Sequence, residues 1–304
     1  MYDVVIVGGG PAGLSAALVL GRCRRRVLVC DSGAPRNARA AALHAFLTRD
    51  GTPPLELLQL GRAELSRYDI DVRQATVTSV EPAAAQFTIT IDGAERVTTQ
   101  AVLLATGVAD QLPTIPGLQE CYGISVHHCP YCDGWEHRDE PLAVLGSGRG
   151  AAGLAMSLKT WSDRITLCTN GVPPRLQRTQ HEQLAALQIP VRRERILRVE
   201  HERGHVTHLV LKDAEAVMCG GVFFASTQAQ QADFARRLGC EFTRGGTVKT
   251  DHLGKTCVPR VYVVGDASRD VQFAIVAAAE GAKAGVAINK ALQAQAGLAV
   301  RQES

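Results

Sequence analysis

The sequence has no long uncharged apolar run and no marked excess of either charge. None of its apolar stretches reaches eighteen residues, and the N-terminus passes into an apolar segment without a basic region or cleavage motif. Its 33 lysines and arginines nearly balance 30 aspartates and glutamates. The densest basic run, Arg22–Arg26, falls where a first helix should end, where cations complement the helix dipole. We therefore expect a cytoplasmic chain with no membrane and no nucleic-acid partner.

A second C-x-x-C pair is also missing. Cys129 and Cys132 have this spacing, and the other cysteines are scattered singly, as in chains with buried thiols rather than a secreted disulfide framework. A zinc site is the alternative interpretation, because residues 127–137 contain two cysteines and three histidines that could act as metal ligands. A structural zinc site usually takes a second ligand pair from a separate segment. We therefore expect no metal.

The C-x-x-C pair lies in the segment Cys129-Pro130-Tyr131-Cys132-Asp133-Gly134, between two glycine-rich motifs. Two sulfurs at this spacing can close a small ring, and nearby backbone N–H groups can lower the pKa of the first thiol from ~8.5 toward ~7 or below. The pair is therefore suited to redox cycling. Its position predicts electron transfer between a nucleotide cofactor and a disulfide.

The first glycine motif follows a continuous β-branched run at residues 4–7 and precedes an apolar helical stretch at residues 14–20. Gly8, Gly10 and Gly13 supply G-x-G-x-x-G in this strand-turn-helix context, in which the pyrophosphate approaches the backbone and the helix packs closely on the strand. The next predicted strand ends at Asp31, where a carboxylate can bind ribose hydroxyls. The combination predicts a dinucleotide site.

The second glycine motif repeats the pattern less completely. An apolar strand at residues 142–145 leads into Gly146, Gly148 and Ala151, and a further strand follows at residues 164–168. That strand ends in residues 169–171, Thr-Asn-Gly, without an acid for an NAD ribose or paired arginines for an NADP phosphate. Arg175 is the nearest candidate. The motif therefore supports a second nucleotide-binding fold better than it supports a bound NAD(P)H.

The spacing of strands and breaks predicts an α/β chain with two Rossmann-like nucleotide-binding domains, the second inserted into a discontinuous first. The chain is expected to pass from the first domain into the second at two prolines in residues 112–117, and to return at Gly245-Gly246; we call these points the crossings. We expect a first domain of residues 1–113 and 245–304, and an inserted domain of residues 114–244 that carries the C-x-x-C pair. A final helix is expected from about Phe273 to Leu292.

The order of five motifs resembles low-molecular-weight thioredoxin reductase over essentially the whole chain. The motifs are GGGPAG at residues 8–13, ATG at 105–107, CPYCDG at 129–134, GSGRGA at 146–151 and VGDAS at 264–268. The resemblance implies an FAD-dependent disulfide reductase, a homodimer, and a partner that is a thioredoxin-like protein or a small dithiol or disulfide. It further implies that Cys132 faces the flavin, Cys129 attacks the partner disulfide and Asp133 protonates the leaving thiolate.

The same resemblance assigns the FAD contacts. The discontinuous domain would hold the pyrophosphate at its glycine turn, the adenosine ribose at Asp31 and the ribityl chain near Asp266, and the backbone of Gln272 would contact the flavin ring. The full set of residues expected at FAD is Gly8, Gly10, Gly13, Asp31, Thr106, Gly107, Gly265, Asp266 and Gln272.

The chain departs from this family in two places. NADPH-dependent thioredoxin reductases carry a His-Arg-Arg cluster where this chain has Thr169-Asn170-Gly171, so a weak or absent NAD(P)H site is expected. The pair His127-His128 resembles a divergent subgroup that includes oxygen-using dithiol oxidases of the holomycin and gliotoxin type. Those oxidases carry C-P-x-C-H, whereas Asp133 keeps the carboxyl group of a reductase. A dithiol oxidase is therefore the alternative function, with both histidines as candidates for tuning the thiolate charge.

Overall fold

The structure is a computed structural model that describes residues 1–225, 227–268 and 271–298. The chain forms two compact units. Unit 1 contains Met1–Ala38, Ala45–Ala109 and the described residues from Gln228 onward. Unit 2 contains Arg39–His44 and Asp110–Thr227. No helix among the described residues is both long and apolar enough to cross a membrane.

Unit 1 begins with strands and helices that alternate and then continues as consecutive strands. These elements are β1 (Tyr2–Val7), α1 (Pro11–Arg22), β2 (Val27–Asp31), α2 (Pro54–Leu65), β3 (Ile70–Gln74), β4 (Val77–Ala83), β5 (Gln86–Ile91) and β6 (Glu95–Leu104). A short strand, β7 (Val108–Gln111), lies where the chain passes into unit 2.

Unit 2 has short strands and two helices of nine residues each. Its elements are α3 (Leu118–Cys121), β8 (Val126–His127), α4 (Pro130–Asp133), β9 (Leu142–Leu145), α5 (Arg149–Ser157) with a 3₁₀ turn (Leu158–Thr160), β10 (Ile165–Cys168), α6 (Arg178–Ala186), β11 (Val191–Arg192), β12 (Ile196–Glu202), β13 (His205–Leu211), β14 (Val217–Met218) and β15 (Gly221–Phe224). The chain then returns to unit 1 through β16 (Thr227–Gln230), α7 (Phe234–Arg237), β17 (Val261–Val263), a 3₁₀ turn (Gly265–Ala267) and α8 (Ala274–Gln295).

The sheet of unit 1 is a parallel Rossmann-like sheet with an antiparallel extension. Its strand order is β3-β2-β1-β6-β5-β4, with β17 also paired to β6. Strands β3, β2, β1, β6 and β17 run parallel, β5 pairs antiparallel to β6, and β4 pairs antiparallel to β5. Val4 and Ile6 are buried against helices α1 and α8, and Val5 and Val7 are buried in the apolar cluster on the other face of the sheet. The predicted helix over residues 273–292 is confirmed as α8.

The sheet of unit 2 has the order β11-β10-β9-β15-β8, and every pair in it is parallel. Helix α5 packs against β9 and β10 through buried alanines at residues 151, 152 and 155. A separate antiparallel sheet, β12-β13-β14, encloses a further apolar cluster. The predicted α/β class with two Rossmann-like units is therefore confirmed.

The second crossing between the units lies earlier than the position suggested by the sequence. The sequence placed the crossings at residues 113/114 and 244/245, and the structure divides the units at 109/110 and 227/228. The difference arises because Phe234, Ala235 and Cys240 are buried in the same apolar cluster as strands β1 and β6. No glycine or proline pair marks residue 227, whereas Gly245-Gly246 belongs to a turn inside unit 1.

Candidate active site

The first glycine turn in unit 1 forms a close-packed cradle. Gly8 has φ +108°, and a Cβ there would collide with the carbonyl oxygen of Ala105. A Cβ on Gly13 would collide with the carbonyl oxygen of Gly8. Gly10 is the N-cap of the twelve-residue helix α1, and a Cβ there would meet no atom within 4 Å. The first N–H groups of α1 therefore face a space that an anion such as a pyrophosphate can enter.

Residues distant in sequence meet this turn. The backbone nitrogen of Thr106 would lie 3.3 Å from a Cβ on Gly8, and a Cβ on Gly265 would lie 3.3 Å from the Cβ of Ala12. The structure therefore brings the three motifs of unit 1 that begin at Gly8, Ala105 and Val264 to one place. Gly107, with φ +67°, lies at the turn that follows β6.

Asp31 lies at the carboxyl end of β2 beside a cavity of about 190 Å³. Its Oδ1 accepts a hydrogen bond from the Gly33 N–H at 3.1 Å, and its Oδ2 forms an ion pair with Arg62 of α2. The cavity is lined by Asp31, Arg62, Val72, Arg73 and Gln74. The carboxylate is thus held in place and remains beside open space. Nothing in the sequence pattern pointed to Arg62.

A polar cluster surrounds Asp266 in unit 1. Arg36 Nη1 donates to Asp266 Oδ2 at 2.9 Å and to Gln272 Oε1 at 2.7 Å. The amides of Gln228 and Gln272 bond to each other in both directions, at 2.8 Å and 2.6 Å. Asp266 and Gln272, which the sequence analysis selected, are therefore joined by Arg36, which it did not select.

The C-x-x-C pair of unit 2 is closed as a disulfide between Cys129 and Cys132, with Cα atoms 5.3 Å apart. Cys129 is the N-cap of the single-turn helix α4, and Pro130 occupies the first helical position. The Cys132 N–H donates to the Cys129 carbonyl at 3.2 Å. Both cysteines are partly exposed, and the neighbouring side chains of Tyr131 and Trp135 are exposed.

The remaining cysteines differ from this pair. Burial raises the pKa of Cys30 to about 11 and that of Cys168 and Cys219 to about 12, so these groups stay protonated thiols. The expectation of buried single thiols is confirmed for Cys30, Cys121, Cys168, Cys219 and Cys240. It is wrong for Cys23 and Cys257, which are exposed.

Asp133 is joined to two buried histidines. His127 Nδ1 lies 3.2 Å from Asp133 Oδ1, and His127 Nε2 lies 3.0 Å from His137 Nε2. On its other side His137 Nδ1 lies 3.0 Å from Glu140 Oε2. Burial lowers the pKa of His137, although its hydrogen bond to Glu140 acts in the opposite direction.

His127 is the last residue of β8 and His128 lies just beyond it, and the two side chains have different surroundings. His128 Nδ1 lies 3.9 Å from Asp110 Oδ2, and the Tyr122 hydroxyl donates to the same carboxylate oxygen at 2.5 Å. Of this histidine pair, only His127 contacts Asp133 among the described interactions. His137 and Glu140 were missed as partners because their side chains meet only through the packing of the folded unit.

The second glycine turn, in unit 2, has a partial nucleotide-binding form. Gly148 is the N-cap of α5, and a Cβ on Gly146 would lie 2.6 Å from the Cβ of Ala151. The Arg175 N–H donates to the Ser147 carbonyl at 2.6 Å, which places Arg175 beside the turn. The predicted residues Gly146, Gly148, Ala151 and Arg175 are therefore brought together.

Strand β10 is followed by Thr169 and Asn170, at the position where a second nucleotide would need a partner for its ribose or phosphate. Thr169 is buried, and its Oγ1 has no hydrogen-bond partner among the residues that the structure describes. Asn170 Oδ1 accepts a hydrogen bond from the Ile196 N–H at 2.8 Å. Asn170 therefore stabilises the start of β12 inside unit 2.

Within the described part of the chain, no group of three or more histidine, cysteine, aspartate or glutamate side chains is arranged to hold a metal ion. The two cysteines of the 127–137 cluster are bonded to each other, and His127 and His137 bond to each other and to carboxylates.

Comparison with known proteins identifies the family. Residues 2–281 match the family described as pyridine nucleotide-disulphide oxidoreductase. The chain belongs to this family. This oxidoreductase is 31% identical over its whole length to a protein of Arthroderma benhamiae named "Probable thioredoxin reductase", of which the match covers 84%. It is 28% identical to thioredoxin reductase sirT of Leptosphaeria maculans, with coverage of 95% of this chain and 94% of that one.

A solved structure gives the same result for the fold. The crystal structure of HlmI has a TM-score of 0.93 and 38% identity to this oxidoreductase, covering 97% of this chain and 93% of that one. With the family match and the C-x-x-C disulfide, this oxidoreductase is a flavin-dependent disulfide reductase of the thioredoxin-reductase kind. Membership implies FAD and NAD(P)H as its cofactors.

The residues of unit 1 fit FAD. The turn at Gly8 and Gly13 has no room for a side chain at either position, the N-terminus of α1 is open beside Gly10, and Asp31 adjoins a cavity. For NAD(P)H the fit is partial. The second turn is present, but Thr169 and Asn170 stand where the charged ribose or phosphate partners are needed.

Proposed function

We propose that this oxidoreductase passes electrons between FAD and a disulfide or dithiol through Cys129 and Cys132. The supporting observation is the closed, partly exposed disulfide with Asp133 next to it, in a chain whose other unit has a dinucleotide cradle. The partner is a thioredoxin-like protein or a small disulfide. FAD, when bound, supplies a reversible carrier of two electrons.

The residues proposed to hold FAD lie in unit 1. Gly8, Gly10 and Gly13 leave the backbone of α1 open to the pyrophosphate, and Asp31 accepts hydrogen bonds from the adenosine ribose. Thr106, Gly107 and Gly265 are proposed to contribute to the same site. Asp266 and Gln272, oriented by Arg36, bind toward the ribityl chain and the ring.

The thiol chemistry is proposed to follow ordinary thiol–disulfide exchange. The Cys129 thiolate attacks one sulfur of the partner disulfide, which forms a mixed disulfide and expels a partner thiolate. Asp133 gives a proton to that thiolate. The Cys132 thiolate then attacks Cys129 Sγ, which releases the second partner sulfur and restores the Cys129–Cys132 disulfide. Two electrons have passed to the partner.

We also propose that NAD(P)H binds this enzyme weakly. The supporting observations are that Asn170 Oδ1 is used by the Ile196 N–H and that Thr169 is buried, so neither offers a charge to a ribose phosphate. Arg175 is exposed, and its backbone lies beside the second turn. The electrons then come from another donor, such as a reduced protein or small dithiol.

The second candidate function is an oxygen-using dithiol oxidase, in which the same steps run in the opposite direction. It is favoured by the missing ribose and phosphate partners at Thr169 and Asn170 and by the pair His127-His128, which resembles the subgroup that includes such oxidases. Asp133 favours the reductase, because the oxidases of the holomycin and gliotoxin type carry histidine after the second cysteine.

An anaerobic titration separates the two functions. The purified protein is mixed in turn with NADPH, NADH and a dithiol, while flavin absorbance is followed, and oxygen is then admitted. The reductase proposal predicts that the flavin, once reduced, is reoxidised faster by a disulfide substrate than by oxygen. Rapid reoxidation by oxygen with disulfide formation in the dithiol would support the oxidase instead.

The domain roles, homodimer and cytoplasmic location are proposals that rest on the family resemblance. Unit 1 is proposed as the FAD domain and unit 2 as the NAD(P)-binding-like domain with the redox pair. Size-exclusion chromatography coupled to light scattering tests the dimer.

A further inference from the structure

The geometry points to a proton chain in which Asp133, His127, His137 and Glu140 share one mobile proton and present it at Asp133 as the acid of thiol–disulfide exchange. This inference rests on the proposed function, because it supplies the proton of that reaction. His127 Nδ1 and Asp133 Oδ1 are in ion-pair contact at 3.2 Å, and hydrogen bonds of 3.0 Å each join His127 to His137 and His137 to Glu140.

The middle contact determines how many protons the chain holds. If both carboxylates were ionised and both rings carried a proton only on Nδ1, the two Nε2 lone pairs would face each other at 3.0 Å in a buried place. Such a contact leaves two buried acceptors without a donor and is costly. One further proton removes the conflict. Each of the three contacts then holds one proton, and the group carries one net negative charge instead of two.

The additional proton can lie on Glu140 or on Asp133, and in either case each of the three contacts has one donor and one acceptor. With Glu140 protonated, Glu140 donates to His137 Nδ1, His137 Nε2–H donates to His127 Nε2, and His127 Nδ1–H donates to Asp133. With Asp133 protonated, each of the three bonds runs in the reverse direction. A shift along the three bonds therefore moves the proton from Glu140 to Asp133 without breaking the chain.

The surroundings favour proton transfer over storage on the rings. Phe223 of β15 packs against both rings, with centroid distances of 5.5 Å to His127 and 6.2 Å to His137. Burial lowers the pKa of His137, so a lasting imidazolium is disfavoured there. The titratable groups that face the two rings are each other, Asp133 and Glu140, and β15 adds only Phe223 and Gly221.

Two glycines leave space for the outer half of the chain. A Cβ on Gly220 would collide with Glu140 Oε2, and a Cβ on Gly221 would lie 3.0 Å from His137 Cγ. Neither glycine has a positive φ, so a side chain at either position would be opposed by steric contact and not by backbone conformation. The Ser162 hydroxyl bonds to the Glu140 backbone carbonyl and fixes this end.

The two ends of the chain differ in exposure. The side chain of Asp133 is 23% exposed and that of Glu140 is 46% exposed. A partner that covers the partly exposed cysteines also limits water at Asp133. Glu140 is the end through which the chain exchanges its proton with solvent.

When a thiolate leaves, protons move along the three contacts toward Asp133. The Asp133 proton then bonds to the departing thiolate, which becomes a thiol. His127 then carries its proton on Nε2 and His137 on Nδ1, and both carboxylates are ionised. Uptake of one proton from water, with exchange of tautomers in the two rings, restores the starting state. In thiol oxidation the same path releases the proton.

The test is a single-turnover reduction of the Cys129–Cys132 disulfide of the holoenzyme by dithiothreitol, with thiols counted by alkylation and mass spectrometry from pH 5.5 to 9. The variants are Glu140→Gln, which keeps the hydrogen bond but cannot carry the proton, His137→Asn and Gly220→Ala. His181→Asn and Glu182→Gln on the exposed surface of α6 are the matched controls.

We expect the rates of Glu140→Gln and His137→Asn to fall about tenfold below wild type at pH 8 and to approach wild type as the pH falls. General acid–base groups contribute typically ~100- to 10,000-fold, and Asp133 itself remains in these variants. Gly220→Ala, in which all four chain residues are present, should show a smaller loss with the same pH dependence. Folding is checked by circular dichroism, and Glu140→Gln alters only a half-exposed end.

A loss that is the same at every pH, or rates equal to those of the controls, would show that the chain is structural and would overturn this inference alone. A wild-type disulfide that dithiothreitol cannot reduce at any pH would overturn the proposed function. The two failures are therefore distinct.

Discussion

At the scale of single residues, the chemistry depends on a few side chains whose roles can be separated. Cys129 and Cys132 are chemically alike, and both are partly exposed. Their assigned roles come from the family resemblance, in which the first faces the partner and the second the flavin. Variants that leave one thiol at a time distinguish them.

The Cys132→Ser variant should trap a partner. It keeps the attacking Cys129 thiol but lacks the thiol that resolves the mixed disulfide. Incubation with an oxidised thioredoxin-like protein or a small disulfide, followed by intact mass measurement, should give a stable adduct with Cys132→Ser and much less with Cys129→Ser. Equal trapping by both variants, or trapping by Cys129→Ser alone, would reverse or remove the assigned roles.

Asp31→Ala should weaken FAD binding. The substitution removes a charge-assisted ribose contact that is worth about 1.5–3 kcal/mol, which corresponds to roughly a 10- to 100-fold increase in Kd. FAD retention after gel filtration and a fluorescence titration of the apoprotein measure the change. Asp163→Ala, which alters an exposed ion pair with Lys159, is the matched control. An Asp31→Ala protein that binds FAD as tightly as the control would show that the ribose lies elsewhere.

At the scale of secondary-structure elements, the two glycine turns have similar backbones and different surroundings. Each follows a buried parallel strand and begins a helix. In the first, the next strand ends in Asp31, whereas in the second it ends in Thr169 and Asn170. The difference lies in what each following strand offers to a ribose.

NADPH should therefore reduce the flavin slowly. Each absent arginine contact to the 2′-phosphate forfeits ~1.5–3 kcal/mol, so two absent contacts weaken binding by about a hundredfold or more. Stopped-flow absorbance at micromolar NADPH measures the rate, and Arg175→Ala is compared with the exposed control Arg178→Ala. Fast, complete reduction in wild type that Arg175→Ala abolishes would show that Arg175 rebuilds the phosphate site.

The sequence could predict the parts of the site that lie within one element or turn, but not the contacts between elements. Residues in one turn, such as Gly8 to Gly13 or Cys129 to Asp133, are fixed by local spacing, and the structure places them as expected. Arg62 and Arg36 could not be predicted, because their partners Asp31 and Asp266 are brought to them by helix and strand packing. A motif search selects residues near in sequence and misses such pairs.

The same limit applies to the proton chain and to the unit boundary. His127 and His137 were part of one histidine-rich segment, but their contact and the role of Glu140 depend on how residues 134–140 pack beside β15. The second crossing was placed too late because Gly245-Gly246 gives a strong turn signal, while residues 227–228 give none. Burial of Phe234 in unit 1 is a property of the fold and not of a local pattern.

At the scale of the whole molecule, stability should depend on FAD. A ligand that binds only the folded state stabilises it by about 2.7 kcal/mol at a hundredfold excess over Kd. For a chain of 304 residues the melting temperature of the apoprotein should rise by roughly 4 °C on addition of FAD at that excess. Differential scanning fluorimetry with FAD, and with AMP as a matched smaller ligand, measures it. An identical melting temperature with and without FAD would argue against a dedicated site.

FAD and the Cys129–Cys132 disulfide are proposed to act as two connected redox centres, and an anaerobic reductive titration measures this connection. The holoenzyme is titrated with dithionite while flavin absorbance and free thiols are measured. Wild type should accept two electrons at the disulfide and two at the flavin, whereas Cys129→Ser and Cys132→Ser should accept only the two electrons of the flavin. Equal electron uptake by wild type and both variants, with no new thiols in wild type, would contradict it.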